Sequence, residues 1–556
     1  MAMLEVPVLV VGAGPVGATI ANLLGVYGVR TLVVDRSPQI LDYPRAVGLD
    51  DEAMRTFQAA GLADAMLRDM IQNVPMRMVS ATGECFAEIL PSTQEFGWFR
   101  RNLFSQPLGE RVLRQGLQRF EHVELRLGQE LVGLRQDDHG VDAVLRLDDG
   151  DTQLVRAKYL LAADGGRSTV RDLLQVPYDG KTHPRKWVVI ECDNDPLDAP
   201  YTALHCDPHR PYVCLRLPYG LRRWEFMLYP GEDGEQMLQP DKVRELLSRH
   251  VPDPSALNVI RARVYTHNSR VARRFVSHRV CLAGDAAHIT PPWIGQGLNA
   301  GLRDAFNLAW KVAWILDGRL DARVLESYQL ERHTHAKAMI ELADLFGAVL
   351  SITQPATAWL RDRLLLALRH VPALRDYVLQ MKFKPMPRFT EGVVLNASGP
   401  RADRVGRMFI QPRVECEDGR VLRLDDVLGP GFALLTWQRE LVSGGPPALR
   451  QRLAALDAQV VTATRGRSVQ SMRLKAAPPP DVRLIEDYEN ALHFWFQRAG
   501  ADWVLLRPDR YVAALGTADE LPLCIEAFCH AFAPPAATAV PEAVTQPLKD
   551  PACTPT

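Results

Sequence analysis

The stretch Val6-Pro-Val-Leu-Val-Val-Gly-Ala-Gly-Pro-Val-Gly17 decides the fold of this chain, because an apolar run leads straight into a glycine-rich turn. A helical pattern from Ala18 to Val26 follows, then a second apolar run, Thr31 to Val34, that ends in Asp35 and Arg36. Strand, turn, helix and terminal acid in that order predict a dinucleotide-binding βαβ unit. Gly12 makes the tight turn, Gly14 lets the backbone approach a pyrophosphate, and Gly17 permits close helix-strand packing, with Ala13, Pro15 and Val16 between them. The N–H groups that open the helix then face the phosphates. A carboxylate at the strand tip, Asp35, accepts hydrogen bonds from a ribose diol, which favours FAD or NAD over NADP.

Far downstream a second glycine-rich segment, Gly284-Asp285-Ala286-Ala287-His288, follows the short apolar run Val280-Cys-Leu-Ala. Alone, either segment is a common strand-end turn. Together they describe the two ends of one bound flavin.

Composition bounds the rest. At 556 residues, 47% of them hydrophobic, the chain exceeds a single core and predicts two to four domains. Its 65 basic and 66 acidic residues leave a net charge of -1, no footprint for nucleic acid or an anionic membrane. Basic pairs such as Arg100-Arg101 and Arg273-Arg274 read as solvated or anion-binding sites. The nine cysteines (Cys85, Cys192, Cys206, Cys214, Cys281, Cys416, Cys524, Cys529 and Cys553) show neither CxxC nor zinc-ligand spacing. Reduced thiols, no metal and a cytoplasmic setting are therefore expected. The N-terminal apolar run is short and lacks the basic flank of a signal peptide. No stretch approaches the roughly 20 apolar residues that span a bilayer. Ala358 to Leu368, interrupted by Arg361, Asp362 and Arg363, reads as an amphipathic helix.

The predicted fold class is α/β. A Rossmann-like FAD-binding domain is expected over residues 1–184 and 266–345, with an inserted, mostly antiparallel β-sheet substrate domain over 185–265. That sheet is read from the strand-like runs Trp187 to Glu191, Tyr212 to Leu217, Trp224 to Tyr229 and Val259 to Tyr265. A long helix is predicted over Gly301 to Leu316. Residues 346–395 form a helical segment and linker ending in the hinge Lys384-Pro-Met-Pro387, and a separate C-terminal unit occupies 396–532. The tail, 533–556, is rich in Pro, Ala and Thr and is expected to be disordered.

With both glycine segments and Asp164-Gly165 in view, the chain resembles the single-component FAD-dependent aromatic hydroxylases of the para-hydroxybenzoate hydroxylase type. Longer runs look like the 3-(3-hydroxyphenyl)propionate/3-hydroxycinnamate hydroxylase branch: Asp42-Tyr-Pro-Arg-Ala46, Tyr265-Thr-His-Asn268, Arg303-Asp-Ala-Phe-Asn-Leu-Ala-Trp-Lys311 and Arg507-Pro-Asp-Arg510. The resemblance implies that Arg45 contacts the FAD pyrophosphate, that Gln106 approaches the flavin, and that Asp285 binds the ribityl or pyrophosphate region. It implies further that Pro291-Pro-Trp-Ile-Gly295-Gln296-Gly297-Leu298-Asn299 passes beside the isoalloxazine, and that Asp164 serves both FAD and the nicotinamide cofactor. His288 reads as a positioned loop residue rather than a proton-transfer group. Backbone dipoles brought close by Gly295 and Gly297 would stabilise the anionic pyrimidine edge of a reduced flavin.

The resemblance also implies an activity: ortho-hydroxylation of a small aromatic acid to a catechol. NADH or NADPH would bind transiently, and O2 would react through a C4a-hydroperoxyflavin. Some relatives place a catalytic His or Asp just after the Arg-Ala pair, but this chain has Val47. Tyr212, Tyr219 and His205 on the inserted sheet stand as candidate bases, and Arg210, Arg222 and Arg223 as candidate partners for a substrate carboxylate. The C-terminal unit resembles the thioredoxin-like extension of phenol-hydroxylase relatives; with no CxxC, a structural or homodimer-supporting role is expected. Two alternatives stay open: a same-fold hydroxylase of another phenol or polyketide, and a catalytically silent FAD-binding scaffold.

Overall fold

The computed structural model of the protein describes residues 3–43, 45–438, 440–465 and 482–534. The Pro-rich tail lies outside the described residues from position 535 onward. Strand β1 (Leu4–Val11), helix α1 (Pro15–Val26) and strand β2 (Thr31–Asp35) form the expected unit, with the strands parallel. Val8, Leu9 and Val10 are wholly buried, because a central strand of a sheet covered on both faces is apolar throughout.

Strand Thr152–Ala162 pairs with the far side of β1, strand Val280–Leu282 lies beyond it, and strand Val123–Leu127 lies beyond β2, all in parallel. Parallel strands release their following loops at one edge of the sheet. The turns at Gly12, Asp35, Asp164 and Gly284, scattered through the sequence, therefore meet there. The helix Gly297–Leu316 packs on α1 behind them.

An eight-stranded second sheet runs in the order His288–Ile289, Asn258–Ala272, Tyr178–Asp193, Arg222–Met227, Tyr212–Arg216, Thr202–His205, Met76–Val79, Cys85–Ile89. Its neighbours are antiparallel except Thr202–His205 with Met76–Val79. The sheet extends past the 185–265 stretch at both ends and recruits two strands from before residue 90. Strands of four or five residues carry too few alternations to stand out from a loop.

The C-terminal unit holds a seven-stranded sheet. Ala433–Thr436 is flanked by parallel Gln459–Thr464 and antiparallel Trp503–Leu506, with Val512–Gly516 antiparallel beyond. With helices Pro447–Ala455, Ala491–Ala499 and Leu521–Phe532 this is thioredoxin-like topology. Buried ion pairs join it to the first domain. Arg507 meets Glu331 at 2.7 and 2.8 Å, and Arg55 meets Asp425 at 2.6 and 2.8 Å. Among the described residues no helix is long and apolar enough to cross a membrane.

Candidate active site

A cavity of about 1080 Å³ runs from the carboxyl edge of the parallel sheet to the second sheet. At the sheet-edge end of the cavity Gly12 adopts φ +101°, and a Cβ there would lie 2.4 Å from the Ala163 carbonyl oxygen. At Gly17 a Cβ would stand 1.8 Å from the Gly12 oxygen, so helix and turn could not close. Gly14 has nothing within 4 Å of the same position, which leaves the approach to the backbone open. No side chain caps the N-terminus of α1, so its N–H groups remain available to an anion.

Asp35 receives the N–H groups of Ala13 and Ser37, each at 2.7 Å, and lines the cavity beside Arg36. Gln106 Oε1 accepts from the backbone N–H of Arg45 (3.0 Å) and Ala46 (2.7 Å), while its amide donates to Glu110. It therefore shapes the loop that carries Arg45. Asp285 lines the cavity, and its backbone oxygen accepts from the Tyr178 hydroxyl at 2.8 Å. Asp164 also lines it; Oδ1 is buried without a hydrogen-bond partner, and burial pushes the carboxyl up.

Behind this wall sits a residue that the sequence reading passed over. Asp304, on the Gly297–Leu316 helix, accepts from Gly284 N–H (3.0 Å), from Arg332 (2.8 Å) and from the His288 Nε2 side (2.6 Å). Burial alone would raise its carboxyl, but His288 and Arg332 hold it lower. Gly284, Ala286, Ala287 and His288, like Ala13 and Gly17, are not cavity-lining; they support the residues that are. The signal for Asp304 was its place in the run 303–311, on the face of the helix turned to the loop.

Pro291, Gly295, Gln296, Gly297, Leu298 and Asn299 all line the middle of the cavity. Asn299 ties this segment down: its amide donates to Gly295 O and Gly48 O, and its oxygen accepts from Asp50 N–H. The 20-residue helix that begins at Gly297 also has no side-chain cap, so a second positive helix end faces the same space. Thr290 Oγ1 is buried there without a partner. Two open helix ends, an unobstructed glycine and unpartnered polar atoms at Asp164 and Thr290 fit a long, polar dinucleotide with FAD's hydrogen-bonding edges.

Beyond that segment the cavity widens into an apolar lobe walled by Val47, Met76, Leu103, Leu204, Leu215 and Trp293. His267 projects into its lining. The ring is stacked on Trp187 (5.7 Å) and edge-on to Trp293 (4.7 Å), and its Nδ1 is buried without a hydrogen-bond partner among the described residues. Burial pushes it down to about 3, so it is neutral near pH 7. His267 lies in the run 265–268, where nothing in the sequence distinguishes its orientation.

The candidate bases lie elsewhere. On the second sheet Leu204 is paired with Val213 and His205 with Tyr212. Side chains alternate between faces, so Leu204, Val213 and Leu215 line the cavity while His205 and Tyr212 turn to the opposite side. There the two rings stack at 4.1 Å within a cluster holding Trp224, Phe226 and His250. Tyr219 is exposed in a turn at φ +64°, its hydroxyl bonded to Asp69.

The same parity sorts the arginines. Arg222 turns away from the cavity and is paired with buried Asp195. Arg210 is held by Glu232 at 2.6 Å, also outside the cavity lining. Arg223 does line it, but its guanidinium is engaged by Glu191, with Nε at 3.0 Å.

Residues 5–343 match the family described as FAD binding domain, and residues 406–531 match the HcaD C-terminal domain. The 3-(3-hydroxy-phenyl)propionate/3-hydroxycinnamic acid hydroxylase 2 of Burkholderia vietnamiensis is 53% identical, covering 95% of this chain and 96% of that protein. The hydroxylase of the same name from Comamonas testosteroni is 42% identical over 93% and 95% of the two chains. Among solved structures, aklavinone-11 hydroxylase in ternary complex with FAD and aklavinone is 27% identical with a TM-score of 0.74, covering 95% of this chain and 99% of that one. The flavin-dependent monooxygenase PieE, at 23% identity and a TM-score of 0.77 over 95% and 100% of the chains, shares the fold.

Proposed function

The chain belongs to the FAD binding domain family of flavin-dependent aromatic hydroxylases, and from that premise we propose that it ortho-hydroxylates 3-(3-hydroxyphenyl)propionate and 3-hydroxycinnamate to catechols. The observation that carries this reading is 53% identity, sustained over both domains, to a hydroxylase named for those two acids. The balance is one aromatic C–H, one O2, one NAD(P)H and one proton giving one phenolic C–O–H, one water and one NAD(P)+. When bound, FAD would supply the two-electron redox chemistry between the nicotinamide and O2.

The protein's own residues do the rest. Asp35, Arg45 and Asp285 would hold the dinucleotide, and the two uncapped helix ends would face its negative charge. The apolar lobe takes the ring and excludes water from it. His267, neutral and with Nδ1 unpartnered, accepts a hydrogen bond from the ring hydroxyl and so orients the carbon beside it.

The test is NADH consumption with and without 3-(3-hydroxyphenyl)propionate, together with product analysis. The acid should accelerate consumption and yield the 2,3-dihydroxyphenyl product. An equal rate in both conditions with no catechol would exclude this substrate while leaving the flavoprotein assignment intact.

A further inference from the structure

Arg101 differs from four other arginines that line the cavity. Arg223 and Arg261 share Glu191, Arg100 meets Asp51 and Glu95, and Arg263 is exposed to solvent. Arg101 has no carboxylate within 4 Å among the described residues. Its Nε donates to the Val74 carbonyl at 3.1 Å, and the Val74 N–H donates back to the Arg101 carbonyl at 3.0 Å. That double link fixes the stem of the side chain beside Val74, Met76 and Leu103, the apolar lobe of the cavity. The two terminal nitrogens donate to no described protein group.

Burial lowers this guanidinium to about 10, so it stays charged while partly stripped of water and given no counter-charge by the protein. A desolvated cation in that state gains most from an anionic ligand, and the planar fork of arginine matches a carboxylate.

We propose that Arg101 is the specificity-determining anchor of the substrate carboxylate, taking its two oxygens on the terminal nitrogens while the aromatic ring fills the adjoining lobe. The proposal rests on the reading of the cavity as an aromatic-acid site. It relocates the anchor from the sheet arginines to the loop before strand Asn102–Phe104.

The experiment uses FAD-loaded protein in three forms: wild type, Arg101→Met and Arg101→Lys. Binding of 3-phenylpropionate, which carries the carboxylate but no ring hydroxyl, is followed by the change in flavin absorbance. Turnover is compared for 3-(3-hydroxyphenyl)propionate and uncharged 3-ethylphenol. In Arg101→Met the preference for the acid over 3-ethylphenol should narrow about ten- to hundredfold, mostly through KM, and 3-phenylpropionate binding should weaken by the same factor. Arg101→Lys should fall between, and serves as the informative variant if the methionine form does not fold.

Equal losses for the acid and the neutral phenol would show a structural role and overturn the proposal, as would failure of wild type to bind 3-phenylpropionate. If wild type binds 3-phenylpropionate in an Arg101-dependent way yet hydroxylates neither phenol, the anchor stands and the substrate assignment falls.

Discussion

At the scale of single residues, Arg223 and Glu191 show how neighbours decide what a charge can do. Their side chains are 5% and 8% exposed, and Arg261 holds the second Glu191 oxygen at 3.1 Å. An arginine so engaged is a structural element of the second sheet. Arg223→Met should therefore lower stability, toward the low end of the about 3–5 kcal/mol seen when a buried pair loses one partner, because Arg261 remains. Selectivity between acid and neutral phenol should move little. Thermal melting read beside KM for the two substrates checks this, and a selectivity loss without a stability loss would return Arg223 to the substrate site.

At the scale of elements, the Gly297–Leu316 and Glu326–Leu350 helices carry the charges that dock the C-terminal unit. Glu331 is gripped by Arg507 and by Lys311 at 2.7 Å, all of them wholly buried. Burial alone would raise the Glu331 carboxyl, but Arg507 and Lys311 outweigh it and hold it at about 2. The folded value lies below that of the unfolded chain, so unfolding takes up a proton between the two. The stabilisation is complete above the unfolded value and is lost as the pH falls toward the folded one, on the order of 3 kcal/mol in all. Melting temperature should drop steeply from pH 5 to pH 3 in wild type. Glu331→Gln should start lower at pH 7 and change less over the same interval, and parallel profiles would remove Glu331 from this role.

At the scale of the molecule, the C-terminal unit is thioredoxin-like in topology, and its sequence holds no CxxC. Cys524 and Cys529 lie half-buried on its last helix against the apolar cluster shared with Trp310 and Trp314, and burial pushes both thiols up. A thiol kept protonated is a poor nucleophile. The double variant Cys524→Ser, Cys529→Ser should retain FAD and hydroxylate at the wild-type rate. Loss of hydroxylation in a variant that folds and keeps FAD would assign those thiols a chemical task.

The βαβ unit was legible from residues 6 to 36, because a tight turn, a close helix packing and a strand-tip acid each demand a residue type that local sequence displays. The second glycine segment and the resemblance in runs such as 303–311 extended that reading to FAD and to the family. Strand existence on the second sheet was visible as alternation, yet alternation is symmetric: it separates two faces without saying which one meets the cavity. Register resolved it, placing Leu204 and Val213 inward and His205, Tyr212 and Arg222 outward. Arg101 and His267 depend on distant partners or on their absence, Val74 and the tryptophans for position and missing carboxylates for charge. Sequence by itself determined the βαβ fold and the glycine turns at its sheet edge, since those are set by contiguous backbone geometry; only the tertiary structure decided which side chains face the cavity, since that is set by pairing across the sheet.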